Sequence, residues 1–334
     1  MRICVLGAGA IGCYLAARLI RSGRHPVAML ARGDALAAIA RDGVRLESGD
    51  GRFSGRPCAV SSDPAALGAQ DLVFVTTKAH AHAATAETVA RLLGPEGTAV
   101  YVCNGIPWWW AYGAAAAATH GSCEPGQADQ ALWNRVRPER VLGCVVYCAN
   151  EIIAPGVVRH TANDCWLIGE PDGSDSPRLR RVVAALGDGG LGAQASTNLR
   201  REIWAKLLRN GPMNTLCALT RLPVDGLAGD PGLLAQVHAL VDEIAAVAAA
   251  HGSDVSPWVA AARNAPAQGG AVHAGSAPAA RIRPSMLQDV EAGRRLEVDA
   301  IVGRVQSLAR SRGVATPVLD LLLPLLRGLD RSLC

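Results

Sequence analysis

The sequence predicts an α/β domain followed by an all-α domain, and two observations support this prediction. Over the first two hundred residues, short apolar runs alternate with amphipathic stretches, the pattern of parallel strands joined by helices. From Asn198 onwards the strand signals vanish and long helical periodicities replace them. A chain of 334 residues is long enough to build two cores. We therefore expect a sheet domain at residues 1–197 and a helical domain at residues 198–334.

Eight strands are predicted for the sheet domain, from apolar runs bounded by turn residues. The strands are Arg2–Leu6, Pro26–Leu30, Asp71–Thr76, Thr98–Cys103, Val141–Tyr147, Gly156–His160, Cys165–Ile168 and Ala193–Ser196. Helical periodicity also appears over Ala81–Leu93, and a helix is predicted at Arg178–Leu186 after a turn cluster.

The helical domain is predicted to contain helices at Leu199–Leu219, Pro231–Ala250 and Ser285–Arg312. Asp230 precedes a proline and is expected to cap the second of these helices. Ser285 and Gln288 have the spacing of a capping box at the start of the third. Residues 260–280, rich in alanine and glycine, are expected to form a loop.

Composition and charge narrow the class of protein. Half of the residues are hydrophobic and 19% are charged, which is too apolar for a disordered chain. The net charge is +4 and the basic residues are scattered, so nothing indicates a nucleic-acid partner. Glycines interrupt the charge-free run after Arg2, and Asn104 and Pro107 interrupt the run at residues 97–123, so we expect neither a signal peptide nor a membrane span. These observations predict a soluble, cytoplasmic protein that acts on small molecules.

The ten cysteines form no CxxC pair and have no histidine at the spacing of zinc ligands. Several lie inside apolar runs, which favours buried, reduced thiols over disulfides or a metal site. His80 and His82 have no nearby carboxylates that would complete a ligand set, so a metal-dependent dehydrogenase is disfavoured. We predict no metal.

The strongest local motif is Gly7-Ala-Gly9-Ala-Ile-Gly12, which follows one predicted strand and opens a helix. Its glycines permit a tight turn and close backbone approach to a pyrophosphate, which the free amides of the helix N-terminus attract. The alternative is a glycine-rich turn that binds nothing. The flanking strand and helix favour a Rossmann-type dinucleotide site, with contacts from Gly7, Gly9, Ala10, Ile11 and Gly12.

Arg32 stands at the end of the second predicted strand, where an NAD-binding protein would offer an acidic residue to the ribose hydroxyls. A guanidinium there suits the 2′-phosphate of NADP. The alternative is a solvated arginine, with Asp34 as a helix cap. The sequence favours NADPH/NADP as cofactor.

Lysine usage singles out two positions, because only Lys78 and Lys206 among the 33 basic side chains are lysines. An ammonium can release a proton at accessible pH, whereas a guanidinium effectively cannot. Lys206, Asn210 and Asn214 recur every four residues and therefore share one face of the predicted helix. An ordinary surface stripe would show the same spacing, but two amides beside a lysine on an apolar helix also suit a polar substrate. Pro212 is expected to kink this helix.

These motifs resemble the ketopantoate reductase (2-dehydropantoate 2-reductase) family, and the resemblance covers nearly the whole chain. It rests on the glycine motif with Arg32, then Val75-Thr-Thr-Lys78-Ala, Cys103-Asn104-Gly105, Trp204-Ala-Lys206-Leu with Asn210 and Asn214, Pro284-Ser285-Met-Leu-Gln-Asp289, and Glu297-Val-Asp299. It implies an NADPH-binding Rossmann domain, an all-α C-terminal domain like that of 6-phosphogluconate dehydrogenase, an active site in the cleft between the domains, and a homodimer.

The resemblance also implies residue roles. Lys206 is expected to be the general acid and Glu297 to orient the substrate. Asn104 is expected near both ligands, and Lys78 near the cofactor phosphate or ribose. The expected contacts to the substrate hydroxyl and carboxylate come from Asn210, Asn214 and Ser285.

The chain departs from the family pattern after Asn104-Gly105, where Trp108, Trp109 and Trp110 replace the usual small residues. These indoles either reshape the acyl pocket or belong to an oligomer surface. The expected reaction is reduction of 2-dehydropantoate to pantoate in pantothenate and coenzyme A biosynthesis. The alternatives are a paralogous reductase of another 2-oxo acid and a non-catalytic NADP-binding sensor.

Overall fold

The computed structural model describes residues 1–113, 129–267 and 282–333. It divides into two compact units. Unit 1 comprises residues 1–103 and 107–199, and unit 2 comprises residues 104–106 and 200–334. The division assigns Asn104–Ile106 to the helical unit, although both flanking segments belong to the sheet unit.

Unit 1 is built on one ten-stranded sheet. Its strands are β1 (Ile3–Leu6), β2 (Val27–Leu30), β3 (Val44–Ser48), β4 (Gly51–Gly55), β5 (Ala59–Ser61), β6 (Gln70–Val75), β7 (Leu93–Val102), β8 (Val141–Ala154), β9 (Val157–Gly169) and β10 (Ala193–Ala195). Their order is β4-β3-β9-β8-β7-β6-β1-β2-β5, and β10 pairs with β9. β1 lies inside the sheet between β6 and β2 and is fully buried, as its apolar sequence predicts.

The sheet is mixed, whereas the sequence predicts parallel strands. β8 and β9 pair antiparallel, as do β3 and β4. The two predicted strands at 156–160 and 165–168 are one strand, β9, and a turn at Gly156 (φ +72°) joins it directly to β8. So short a connection permits only an antiparallel pair. The sequence prediction missed β3, β4 and β5, which have only three to five residues each and contain few apolar side chains.

The helices of unit 1 are α1 (Ala10–Ser22), α2 (Gly33–Asp42), α3 (Ala86–Leu92), α4 (Gln130–Arg135) and α5 (Pro177–Asp188). The predicted helix at 81–93 is α-helical only from Ala86, because two 3-10 turns precede it. The eight described cysteines that are free include four buried ones, Cys4, Cys13, Cys144 and Cys217. Burial raises the pKa of the Cys4 and Cys13 thiols to about 12, so both stay protonated at neutral pH.

Unit 2 contains α6 (Leu199–Thr220), α7 (Val224–Ala228), α8 (Pro231–Ala250), α9 (Ser256–Arg263), α10 (Ser285–Glu291), α11 (Arg304–Ser311) and α12 (Pro317–Ser332). α6 and α8 agree with the prediction, and the Asp230 carboxylate accepts the amides of Gly232 and Leu233, which confirms it as the cap of α8. The predicted loop at 260–280 is wrong over its first residues, which end α9; residues 268–281 lie outside the described part of the chain.

The predicted single helix Ser285–Arg312 is wrong, because the chain breaks it. α10 ends at Glu291, Gly293 adopts a left-handed conformation (φ +61°), and helical structure resumes with a π-turn at Asp299–Gly303 before α11. The predicted capping box is also wrong. The cap of α10 is Pro284, and Gln288 donates to the Arg283 carbonyl.

Candidate active site

The glycine motif of unit 1 has the geometry that a dinucleotide site requires. Gly7 has φ +111°, and a Cβ at Gly12 would lie 1.9 Å from the Gly7 carbonyl oxygen, so both positions demand glycine. Gly9 caps α1 without a side-chain hydrogen bond, and a Cβ there would meet no atom within 4 Å. An exposed glycine at this position permits a pyrophosphate to approach the free amides at the start of α1 closely.

Two threonines at the end of β6 support this motif, and the sequence prediction did not single them out. The Thr76 hydroxyl lies 3.0 Å from the carbonyl oxygens of both Leu6 and Gly7 and so ties the glycine turn to β6. The Thr77 hydroxyl is buried and has no hydrogen-bond partner. A buried hydroxyl without a hydrogen-bond partner lowers the stability of the folded protein. The Thr77 hydroxyl beside Gly7 therefore favours a bound polar ligand group that supplies this partner. The residues present therefore fit a bound dinucleotide.

Arg32 and Lys78 lie at the ends of strands in unit 1. Arg32 follows β2 and is itself the exposed N-cap residue of α2, and it lacks a capping side-chain bond. Asp34 lies in the first turn of that helix. Lys78 is half-buried and precedes the 3-10 turn Ala79–Ala81. His82, which follows this turn, is buried against Tyr101 with its Nε2 3.0 Å from the Thr77 carbonyl oxygen.

Unit 2 brings together three residues that the sequence prediction placed in the active site. The Lys206 ammonium donates to Asn104 Oδ1 at 2.9 Å, and Asn104 Nδ2 donates to Glu297 Oε2 at 3.4 Å. They are far apart in sequence, yet the asparagine links the two ionisable side chains. Lys206 is 9% exposed and Glu297 is 6% exposed. The arrangement holds a proton donor and a carboxylate on opposite sides of one amide.

The predicted stripe on α6 forms, but its asparagines differ in what they contact. Asn214 is buried, and its Nδ2 donates to the Asn210 carbonyl oxygen at 2.9 Å. Asn214 Oδ1 accepts from the Ser285 hydroxyl at 3.2 Å and from the Met286 amide at 3.0 Å. Asn214 thus performs the capping of α10 that the sequence assigned to Ser285. It orients the Ser285 hydroxyl, and the Asn210 side chain is half-buried.

The segment that carries Glu297 is held by α12, which the sequence prediction overlooked. Asp330, 9% exposed, accepts the Leu296 amide at 2.7 Å. Arg327 pairs with Asp299 just beyond Glu297. No sequence signal connects α12 to Glu297, because the contact depends on tertiary packing alone.

The three tryptophans do not share one environment. Trp108 and Trp109 are 4% and 1% exposed inside unit 1, whereas Trp110 is half-buried. Trp108 stacks edge-on against Tyr101 and Trp133. Their burial removes these two indoles from an exposed oligomer surface, and the acyl-pocket role stays a prediction. Within the described residues, no group of three or more His, Cys, Asp or Glu side chains is placed to hold a metal ion.

Known proteins match the chain over its whole length. The family model for ketopantoate reductase PanE/ApbA matches residues 3–173, and the model for its C-terminal part matches residues 198–330. The chain is 36% identical to a 2-dehydropantoate 2-reductase of Mesorhizobium japonicum, over 98% of each chain. It is 28% identical to the 2-dehydropantoate 2-reductase of Halobacterium salinarum, over 99% of this chain and 100% of that one.

A solved structure shows the same fold. The 2-dehydropantoate 2-reductase of Geobacter metallireducens superposes with a TM-score of 0.83 at 27% identity, covering 98% of this chain and 99% of that one. Together with the full-length matches, this confirms the resemblance carried by the sequence motifs and the predicted order of an α/β unit and a helical unit. The chain belongs to the ketopantoate reductase family.

Proposed function

We propose that this protein is an oxidoreductase that reduces 2-dehydropantoate to pantoate with NADPH, in pantothenate and coenzyme A biosynthesis. The observation that carries the proposal is the hydrogen-bonded series Lys206–Asn104–Glu297 in unit 2. Two full-length relatives that bear the name 2-dehydropantoate 2-reductase support the choice of substrate.

The chemistry follows from what each residue can hold or give. NADPH, when bound, supplies the hydride that reaches C2 of the 2-oxo acid. An alkoxide forming at C2 needs a proton, and the Lys206 ammonium is the donor. Asn104 accepts from that ammonium, which fixes its direction, and its other end donates to the Glu297 carboxylate. Glu297 orients the substrate, and Asn210 and Ser285 bind its hydroxyl and carboxylate, with Asn214 holding Ser285 in place.

All but one of the proposed cofactor contacts belong to unit 1, and the exception is Asn104. Gly7, Gly9, Ala10, Ile11 and Gly12 receive the pyrophosphate, Arg32 binds the 2′-phosphate, and Lys78 with Asn104 completes the cofactor contacts. The open space at Gly9 and the unpaired Thr77 hydroxyl support this assignment. The assignment makes Arg32 the residue that distinguishes NADPH from NADH.

The assay is NADPH oxidation with 2-dehydropantoate and with a panel of branched and linear 2-oxo acids, repeated with NADH. We expect efficient turnover of 2-dehydropantoate and a preference for NADPH. If the protein turned over only another 2-oxo acid, the proposed substrate would be wrong and the proposed class of reaction would stand. NADPH binding without turnover of any acid would favour the sensor hypothesis and overturn the proposal.

Replacing Lys206 tests the proton donor. Lys206→Ala should lower kcat by about 10²- to 10⁴-fold, while the affinity for NADPH stays close to that of the parent, since the lost interaction belongs to the transition state. Lys206→Arg is the matched control, because it keeps the positive charge but cannot readily release a proton. We expect it to be nearly as slow. Near-normal turnover by Lys206→Ala would contradict the assignment of Lys206.

Replacing Arg32 tests the cofactor preference. Arg32→Ala should raise the KM for NADPH by roughly tenfold or more, because one charge-assisted phosphate contact is lost, and should leave the KM for NADH unchanged. Arg24→Ala removes an equally exposed positive charge from the same unit and serves as the control. Equal effects on the two cofactors would show that Arg32 does not read the 2′-phosphate.

We further propose that the protein is a cytoplasmic homodimer. α8 is long and apolar enough to cross a membrane by composition alone, with a mean hydropathy of 1.5. One face of α8 packs in unit 2, where Val237, Leu240 and Val247 are buried and Glu243 accepts the amides of Val318 and Leu319. The exposed side chains of Leu321 and Leu325 on α12 form the apolar face that we assign to the second copy.

A further inference from the structure

Three residues of the N-terminal half form a strap that belongs to unit 2. Asn104, Gly105 and Ile106 are flanked on both sides by residues of unit 1. Asn104 supplies the amide that joins Lys206 to Glu297. An amide that must face an ammonium with its oxygen and a carboxylate with its nitrogen requires a fixed position, and two backbone features provide it.

The first feature is the Gly105 backbone. Gly105 has φ +77°, and a Cβ at this position would lie 2.0 Å from the Ala300 carbonyl oxygen and 2.8 Å from the Ile301 nitrogen. Both are backbone atoms, which cannot move aside as a flexible side chain can. The strap therefore lies directly on the helical segment that follows Glu297, and only glycine permits so close an approach.

The second feature is the π-turn at Asp299–Gly303. In a regular α-helix the Arg304 amide would bond to the Ala300 carbonyl, but here it bonds to Asp299. The Ala300 carbonyl instead accepts the Ile106 amide at 2.8 Å. The extra residue in this turn thus redirects one carbonyl from its own helix to the strap. The same segment begins at Glu297, whose carbonyl accepts the Ile301 amide at 3.1 Å.

We propose that Gly105 and the π-turn at Asp299–Gly303 form a positioning device that holds the Asn104 side chain between Lys206 and Glu297. Neither touches substrate or cofactor; both act through Asn104. The proposal deepens the proposed function, because it rests on Asn104, Lys206 and Glu297 forming the catalytic group. A strained or irregular backbone element at a functional site is a recognised way to fix such a group.

The test is a double-mutant cycle between Gly105→Ala and Asn104→Ala, measured as kcat/KM on the best 2-oxo acid substrate. Gly105→Ala alone should cost on the order of a hundredfold, as a displacement of about 1 Å does for a positioned group. In the Asn104→Ala background the same change should cost less than about threefold, since the group it positions is gone. An equal loss in both backgrounds would overturn the proposal, as would near-normal activity of Gly105→Ala.

Gly313→Ala is the matched control for backbone strain. Gly313 lies in the same unit at φ +64°, and a Cβ there would meet no atom within 4 Å. The Gly313→Ala variant therefore has the backbone strain of an alanine at positive φ, but its Cβ clashes with no other atom. We expect its kcat/KM to stay within about twofold of the parent. If Gly313→Ala lowered kcat/KM as much as Gly105→Ala does, backbone strain alone would explain both losses and the proposal would be overturned.

A second variant keeps the test valid if Gly105→Ala does not fold. Replacing Ile106 by its α-hydroxy analogue turns the Gly105–Ile106 amide into an ester, which removes only the donor to Ala300. We expect an approximately fivefold loss in kcat/KM, the size of one backbone hydrogen bond, and no loss in the Asn104→Ala background. The same ester change at Trp110, whose amide donates to Pro107 within unit 1, should leave kcat/KM unchanged.

Hydrogen exchange separates failure of this inference from failure of the proposed function. The Ile106 amide should exchange slowly in the full-length protein, and this measurement needs no substrate. Fast exchange at Ile106 would overturn the inference whatever the enzyme reduces. A protein that turns over no 2-oxo acid yet protects Ile106 would overturn the proposed function, and the exchange result would then support the strap geometry alone.

Discussion

Two side chains, Lys206 and Trp109, occupy positions where we expect a residue of different chemistry or size to fail. Lys206 is one of two lysines in a chain whose other basic side chains are arginines, and its ammonium donates to Asn104 in unit 2. Trp109 is unusual for a different reason. A Cβ on Gly143 would lie 2.3 Å from the Trp109 indole. The missing side chain of Gly143 therefore leaves the space that the indole occupies.

Truncating Trp109 tests whether this indole serves stability or substrate choice. Trp109→Ala should lower the free energy of unfolding by about 3–5 kcal/mol, the usual cost of removing a buried aromatic side chain. Trp110→Ala, at a half-buried neighbour, should cost much less. Denaturant unfolding measures both, and the relative rates for the 2-oxo acid panel should not change. A changed preference among acids without a loss of stability would return Trp109 to the acyl pocket.

Among the elements, α8 shows how one helix is fixed at both ends and in its middle. Asp230 caps its start, and the buried Glu243 carboxylate receives the first amides of α12. At its end, His251 Nε2 lies 3.1 Å from the Leu308 carbonyl oxygen at the end of α11. Sequence reasoning found the cap, which is local, and missed the other two contacts, which join residues more than fifty positions apart.

The His251 contact predicts a pH dependence of stability. Burial lowers the pKa of His251 below its usual value, the Leu308 carbonyl opposes this shift, and the Arg312 charge adds to it. The unfolded chain therefore binds this proton at a higher pH than the folded protein does, and stability falls as pH drops below about 6.5. When the pH falls from 7 to 5, the free energy of unfolding should decrease less for the His251→Gln variant than for the parent. Urea unfolding at each pH measures this difference. Identical pH profiles would contradict the prediction.

At the scale of the whole molecule, the exposed leucines of α12 stand out. Leu321 is 66% exposed and Leu325 is 55% exposed, while the opposite face of the same helix is buried through Leu319, Leu323 and Leu326. Asp320 and Arg327 are exposed as well, so Leu321 and Leu325 form a small apolar patch of the kind that a partner protein covers. A second copy of the chain is the occupant proposed for the outer face.

The dimer prediction is tested by sedimentation equilibrium. The parent chain should sediment as a dimer, and Leu321→Glu with Leu325→Glu should shift it to the monomer mass of 34.6 kDa, because burying two carboxylates is costly. Leu222→Glu replaces a less exposed leucine outside α12 and should leave the mass unchanged. A dimer that survives the double substitution would place the interface elsewhere.

Sequence patterns were enough to predict the order of the two units, the glycine motif with its strand and helix, the helices α6 and α8, and the candidacy of Lys206. These are local properties, because periodicity, caps and left-handed glycines act over a few residues. The predicted domain boundary near residue 198 stays a prediction, as do the roles of the site residues.

The assembly of the proposed catalytic group depends on tertiary packing. Lys206, Asn104 and Glu297 come from three separate segments, and nothing within any one segment specifies its distance from the other two. The capping role of Asn214, the support of Glu297 by Asp330 and the strap at Gly105 depend likewise on backbone groups brought together by packing. Such contacts lie beyond sequence patterns, because one backbone amide or carbonyl is chemically like any other until the fold gives it a partner.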